Sequence, residues 1–119
     1  KVQPLSEEEQ KLSKETAREA LEQKLRYYAP KMGVTYGRVS VRDQKTRWGS
    51  CSLEGNLNFN WRLLMAPPGV MDYVVVHELA HRKEMNHSRS FWKVVEETMP
   101  DYQKYRNWLK ENGNILHRY

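Results

Sequence analysis

A single cysteine, Cys51, stands in a chain of 119 residues. No disulfide can close within the chain, and no four-cysteine zinc ribbon can form, so any metal must be held by other donors. One thiol also points to a reducing, cytoplasmic setting rather than a secreted one. An apolar run of transmembrane length is missing, and no charged-then-apolar leader opens the chain, so no membrane partner is expected. There is no glycine-rich phosphate loop and no cluster of carboxylates suited to magnesium, which leaves nucleotide chemistry without local support.

The chain holds 39% hydrophobic and 29% charged residues, the balance of a soluble globular domain, and its length suits one core. We therefore expect one domain over 1–119. The first residue is Lys1 rather than Met, which fits a fragment of a longer chain. Net charge is +5, from 20 basic and 15 acidic residues. The basic residues mostly sit beside acids, as in Lys11 to Glu22 and Arg82-Lys83-Glu84, which reads as a solvated, mildly basic surface. That charge admits nucleic acid as a partner without indicating it, and nothing calls for an obligate protein partner.

Ser6-Glu7-Glu8-Glu9 reads as a capping box, and apolar residues then recur at helical spacing to Tyr28. Pro30 and Gly33 are expected to stop this helix, placing it at about 6–29. From residue 37 the period changes to two: Val39 and Val41 alternate with polar residues, as do Leu57, Phe59, Trp61 and Leu63. With turns at Asp43-Gln44-Lys45 and Leu53-Glu54-Gly55, this predicts an antiparallel meander of 37–42, 46–51 and 56–62. Pro68 suits the first turn of a second helix, buried through Val70-Met71, Val74-Val75 and Leu79. Ser88 or Ser90 caps a third helix, ended by Pro100. Asp101 caps a fourth, which Gly113 ends, leaving 114–119 as a loose tail.

The chemistry concentrates in His77-Glu78-Leu79-Ala80-His81 and His87, which hold three of the four histidines. Residues at i and i+4 stack on one helix face, so His77 and His81 present two imidazoles to a common point. Glu78 stands beside the first and suits the proton transfers of hydrolysis, as base and then as acid. A catalytic zinc needs a third protein ligand and an open fourth position. His87 is the preferred third ligand, with Asn86 tolerating the left-handed backbone that would turn the chain back. The spacing from His81 to His87 equals that of the metzincin pattern, although Glu84 stands where that pattern has glycine. In the gluzincin arrangement a glutamate on the next helix serves instead, and Glu96 or Glu97 would be its candidates. His117 reads as a solvent-facing histidine in the tail.

Thr46-Arg47-Trp48-Gly49-Ser50-Cys51 is the other conspicuous segment. A glycine within a strand marks close approach of another backbone or of a ligand. Gly49 would either make room for the histidine helix or let an extended substrate lie along the sheet edge. Arg47, Trp48 and Gly49 are accordingly the substrate-binding candidates, Arg47 suited to an anionic group. Trp61, Trp92 and Trp108 fit apolar stripes and read as core.

Taken together, Thr46–Cys51, Asn58-Phe59-Asn60-Trp61-Arg62-Leu63-Leu64, Ala66-Pro67-Pro68, Tyr73–His81, Asn86-His87-Ser88 and Phe91-Trp92 resemble the YgjP-like metal-dependent hydrolases. These are a zincin-type family related to the SprT-like and WLM proteases, and the likeness runs from about Val39 to Gly113. The resemblance implies His77, His81 and His87 as zinc ligands and Glu78 as the catalytic glutamate. It also implies an α+β fold, a minimal zincin-like core of N-terminal helix, small sheet, active-site helix and C-terminal helices.

The expected function is a zinc-dependent hydrolase of metallopeptidase type, binding one Zn2+ per chain and acting on a peptide or other small hydrolysable substrate. The same ligands accept nickel, cobalt or manganese. Some proteins similar to YgjP are described as UTP pyrophosphatases, so a nucleotide pyrophosphohydrolase on the same site is the alternative. A nucleic-acid-associated module is a further one.

Overall fold

The computed structural model describes residues 5–118. In chain order it runs α1 (Glu7–Met32), β1 (Val39–Arg42), β2 (Gly49–Cys51), β3 (Leu57–Asn60), a 3₁₀ helix (Trp61–Met65), α2 (Val70–Ala80), α3 (Arg89–Thr98) and α4 (Tyr102–Leu116). This is the expected α+β fold. Lys1, on which the expectation of a longer chain rested, and Tyr119 lie outside the described residues.

The capping box at the start of α1 is formed: the Ser6 backbone N–H donates to Glu9 Oε1 at 2.9 Å, and Ser6 Oγ accepts from the Glu9 N–H at 3.2 Å. Where the sequence suggested an end at residue 29, α1 continues through Pro30 to Met32. Proline costs only its own bond to the carbonyl one turn back, and buried Ala29 and Met32 hold the last turn against the core. Gly33 then closes the helix in the left-handed conformation.

The sheet differs from the antiparallel meander in topology. Its order is β1-β3-β2, with β3 parallel to β1 and antiparallel to β2. The centre goes to the strand with the most to bury: Leu57, Phe59 and Asn60 of β3 are buried, whereas every residue of β1 and β2 retains some exposure. Alternation alone carries no information about which strand is central or about parallel versus antiparallel pairing. The loop between β1 and β2 must therefore pass around the end of β3, and buried side chains hold it there. Asn60 Nδ2 donates to the carbonyls of Gln44 and Arg47 at 2.8 and 3.0 Å. Arg62, fully buried, donates to Asp43 Oδ1 at 2.6 Å and to the Gln44 carbonyl at 3.3 Å. The third strand stops at Asn60 rather than 62, and Trp61 and Leu63 reach the core from the 3₁₀ helix instead.

Helix α2 packs against α1, β2, α3 and α4, and nine of its eleven residues are buried, so its apolar character runs almost all the way round. It begins at Val70 rather than at Pro68, with Gly69 as its N-cap. Lys24 and Tyr28 of α1 fasten its first turn through Asp72, at 2.6 and 2.7 Å. No helix among the described residues is long and apolar enough to cross a membrane.

Candidate metal centre

Tyr73, His77 and His81 follow one another at intervals of four residues and share one face of α2, which opens into a cleft of about 610 Å³. The chain leaves α2 through successive tight turns at 81–84. It then doubles back at Asn86–Ser88, where the Ser88 N–H donates to the Asn86 carbonyl at 2.8 Å. No non-glycine described residue has a positive φ, so Asn86 does not adopt the expected left-handed form; this three-residue turn makes the reversal instead. Ser88, not Ser90, caps α3 by accepting from the Phe91 N–H.

That return brings His87 to the other two imidazoles. One ring nitrogen from each of His77, His81 and His87 can be chosen so that all lie within 4.8 Å of one another. Tetrahedral zinc with nitrogen ligands at about 2.0–2.1 Å needs them roughly 3.4 Å apart, so modest side-chain rotations would close the set. Glu96 and Glu97 sit on exposed positions of α3 and are not part of this group. Phe91, fully buried, lies under all three rings at centroid distances of 5.0, 4.5 and 5.0 Å. This apolar floor limits how the imidazoles can tilt.

His81 Nδ1 lies 3.1 Å from the Glu84 carbonyl oxygen, which can only accept, so Nδ1 carries the proton and Nε2 is left as the ligand atom. His87 is exposed, yet partial desolvation, reinforced by the neighbouring His77 and His81, lowers its imidazole pKa and favours the neutral form that binds metal. Glu78 is only 4% exposed and its Oε2 lies 3.1 Å from His77 Nδ1.

Gly49 lies directly against this carboxylate. A Cβ there would fall 3.0 Å from Glu78 Oε2 and 3.1 Å from its Cγ, so the glycine makes room for the histidine helix, specifically for its glutamate. Gly49→Ala is expected to retain metal and to lower kcat about ten-fold by displacing the carboxylate a few tenths of an ångström. Metal content and steady-state kinetics check it, and unchanged kcat would show the contact to be slack.

Arg47, Trp48 and Gly49 all line the same cleft. The β2–β3 register, with Asn60 N–H bonding the Trp48 carbonyl, turns the backbone of Trp48, Ser50 and Ser52 toward β3. Gly49 and Cys51 therefore direct their N–H and C=O groups to the free edge of the sheet. Burial, then the charge of Glu78, pushes the Cys51 thiol up, which leaves it unactivated.

The chain's end also departs from expectation. Helix α4 continues through Gly113 to Leu116, because this glycine lets it pass the Trp48 ring: a Cβ would sit 3.1 Å from that ring. His117 is therefore not in a loose tail but half-buried, its ring 4.5 Å from that of Trp48. Trp61 is core as expected, whereas Trp92 stands partly exposed between His77, His87 and Arg106.

Two residues of the site were not anticipated. Tyr73 is buried at the cleft floor, and burial pushes its hydroxyl up to about 12, so it remains a hydrogen-bond donor. Its position one turn before His77 was a readable signal. Arg106 enters from α4, and nothing local in the sequence marks it.

The family model for the YgjP-like metallopeptidase domain matches residues 3–112. Among curated proteins none matches. Two crystal structures of metallopeptidase zymogens are similar. Abylysin of Pyrococcus abyssi is 28% identical, with 76% of this chain and 93% of that chain covered at a TM-score of 0.66. Jannalysin of Methanocaldococcus jannaschii is 14% identical, with 81% and 95% covered at 0.62, a likeness of fold. Family model, fold and clustered imidazoles agree, and the chain belongs to the YgjP-like family through its metallopeptidase domain.

Proposed function

We propose that this chain is a zinc-dependent peptidase in which His77, His81 and His87 hold one ion and Glu78 moves the proton. The convergence of three imidazoles beside one buried carboxylate carries this reading. A zinc ion held there would supply Lewis acidity, polarising the scissile carbonyl and bringing a water's pKa toward about 7. Glu78 takes a proton from the attacking water and returns it to the amide nitrogen as the C–N bond breaks. The free edge of β2 offers the Gly49 and Cys51 backbone to an extended substrate, which adds as a further strand. Arg47 and Trp48 border that edge, and Tyr73, which lines the same cleft, would donate to oxygen as charge develops there. The whole chain acts as one catalytic unit, since α4 closes the cleft that α2 and β2 begin.

Metal content and peptide cleavage, measured on wild type and His87→Ala after zinc reconstitution, test the reading. We expect about one zinc per chain in the wild type and affinity lowered at least about ten-fold in His87→Ala. Full zinc affinity in that variant would remove His87 from the ligand set. Zinc-loaded wild type that cleaves no member of a diverse peptide library would remove peptides as the substrate.

A further inference from the structure

We infer that the α4 wall of the cleft is a carboxylate subsite, in which Arg106, assisted by Lys110 one turn on and by Arg47 beside β2, binds a substrate carboxylate close to the bond being cut. This deepens the peptidase reading and rests on it.

Three cations line the cleft against one acid, Glu78, which is committed to proton transfer. Among the described residues the Lys and Arg side chains that pair with carboxylates are Arg18, Lys24 and Arg62; what sets Arg106, Lys110 and Arg47 apart is that they line one cleft. Among the described residues no carboxylate pairs with Arg106, Lys110 or Arg47. The Arg106 guanidinium lies 4.4 Å from the centre of the Trp92 ring, which restrains its plane and leaves in-plane N–H groups for a bidentate acceptor. It is half-buried, so a charge-assisted bond there is less screened than one on the open surface.

The distance suits a peptide. The Trp92 ring centre lies 4.4 Å from the Arg106 guanidinium and 5.7 Å from the His77 ring centre, so the guanidinium is at most about 10 Å from that imidazole. An extended peptide advances about 3.3 Å per residue, which places the bound carboxylate within about three residues of the scissile bond. It comes from a Glu or Asp side chain or from the free chain end.

Four peptides distinguish these sources: end-blocked with Glu, the same with Gln, and each again with a free C-terminal carboxylate. Calorimetry on the metal-free protein measures binding, and cleavage by the zinc-loaded protein measures KM and kcat. We expect a carboxylate to improve binding about ten-fold at low salt and to act on KM rather than kcat. The advantage should shrink with salt, vanish in Arg106→Gln and partly return in Arg106→Lys. Gain from Glu alone assigns a side-chain subsite, and gain from the free terminus alone assigns a chain-end subsite. Equal binding of all four peptides, or a preference that survives in Arg106→Gln, overturns the inference. Carboxylate-dependent binding without any cleavage would keep the subsite and sink the peptidase reading; cleavage indifferent to carboxylates would do the reverse.

Discussion

Glu78→Gln should bind zinc as the wild type does and lose about 10³-fold in kcat, with KM little changed. The glutamine is close to isosteric in a pocket where Glu78 is 4% exposed, and it can still meet His77 and pass Gly49. What it cannot do is accept a proton from water at neutral pH, and general acid–base catalysis typically contributes about 10²–10⁴-fold. Because the carboxylate is not among the three clustered imidazoles, metal content should not fall with activity. The pair of measurements therefore separates proton transfer from ligation. Turnover within about three-fold of wild type would remove Glu78 from the chemistry. Loss of zinc along with activity would instead make it a structural support of the metal site.

The components of this centre were legible in the sequence to differing depths. His77, Glu78 and His81 needed only helical periodicity, and α2 forms as expected and ends at Ala80. His87 required knowledge of the turn at Asn86–Ser88, which is centred on His87 itself rather than on the left-handed Asn86 that was expected. Gly49 was recognisable as a site of close approach, but only the tertiary structure identifies its neighbour as Glu78. Arg106 was not readable, because its role depends on where α4 crosses the cleft, and a helix's own sequence does not state that. The sheet failed for a related reason. Alternation identifies strands and their buried faces, whereas strand order is decided by competition for the central place.

Asp43→Ala should destabilise the fold by roughly 2–3 kcal/mol, less than the full cost of breaking a buried ion pair because Asp43 itself retains 31% side-chain exposure. Arg62 is fully buried, and the substitution takes from it the carboxylate it meets at 2.6 Å, leaving the Gln44 carbonyl among its remaining contacts. At about 4 °C per kcal/mol for a chain of this size, the melting temperature should fall by roughly 10 °C. Adding Arg62→Met should recover part of the loss, since the penalty falls on a buried guanidinium that has lost its Asp43 carboxylate rather than on packing. A drop under about 2 °C in Asp43→Ala would show that the remaining acceptors suffice.

The same pair predicts a pH signature. The hydrogen bond from Arg62 holds the Asp43 carboxyl below its ordinary value. Its stabilising contribution is thus complete above the unfolded carboxyl pKa of about 3.9 and disappears as pH falls through the lower folded value. Thermal melts from pH 7 to pH 2 should show a shallower acid limb in Asp43→Asn than in wild type. Identical limbs would assign the acid sensitivity to other carboxylates.

Helix α4 bears on the order in which the parts of this molecule come into being. Everything proposed to handle metal and proton lies between His77 and His87, while the cleft's walls come from Arg47–Cys51 and from Arg106–Lys110. Trp48 is in turn backed by Gly113 and His117, the last part of the described chain to leave the ribosome. During synthesis His77–His87 emerges about twenty to thirty residues before the α4 wall of the cleft and the residues that back Trp48. Until α4 has been made, a nascent chain that already carries the three clustered histidines therefore still lacks one wall of the cleft.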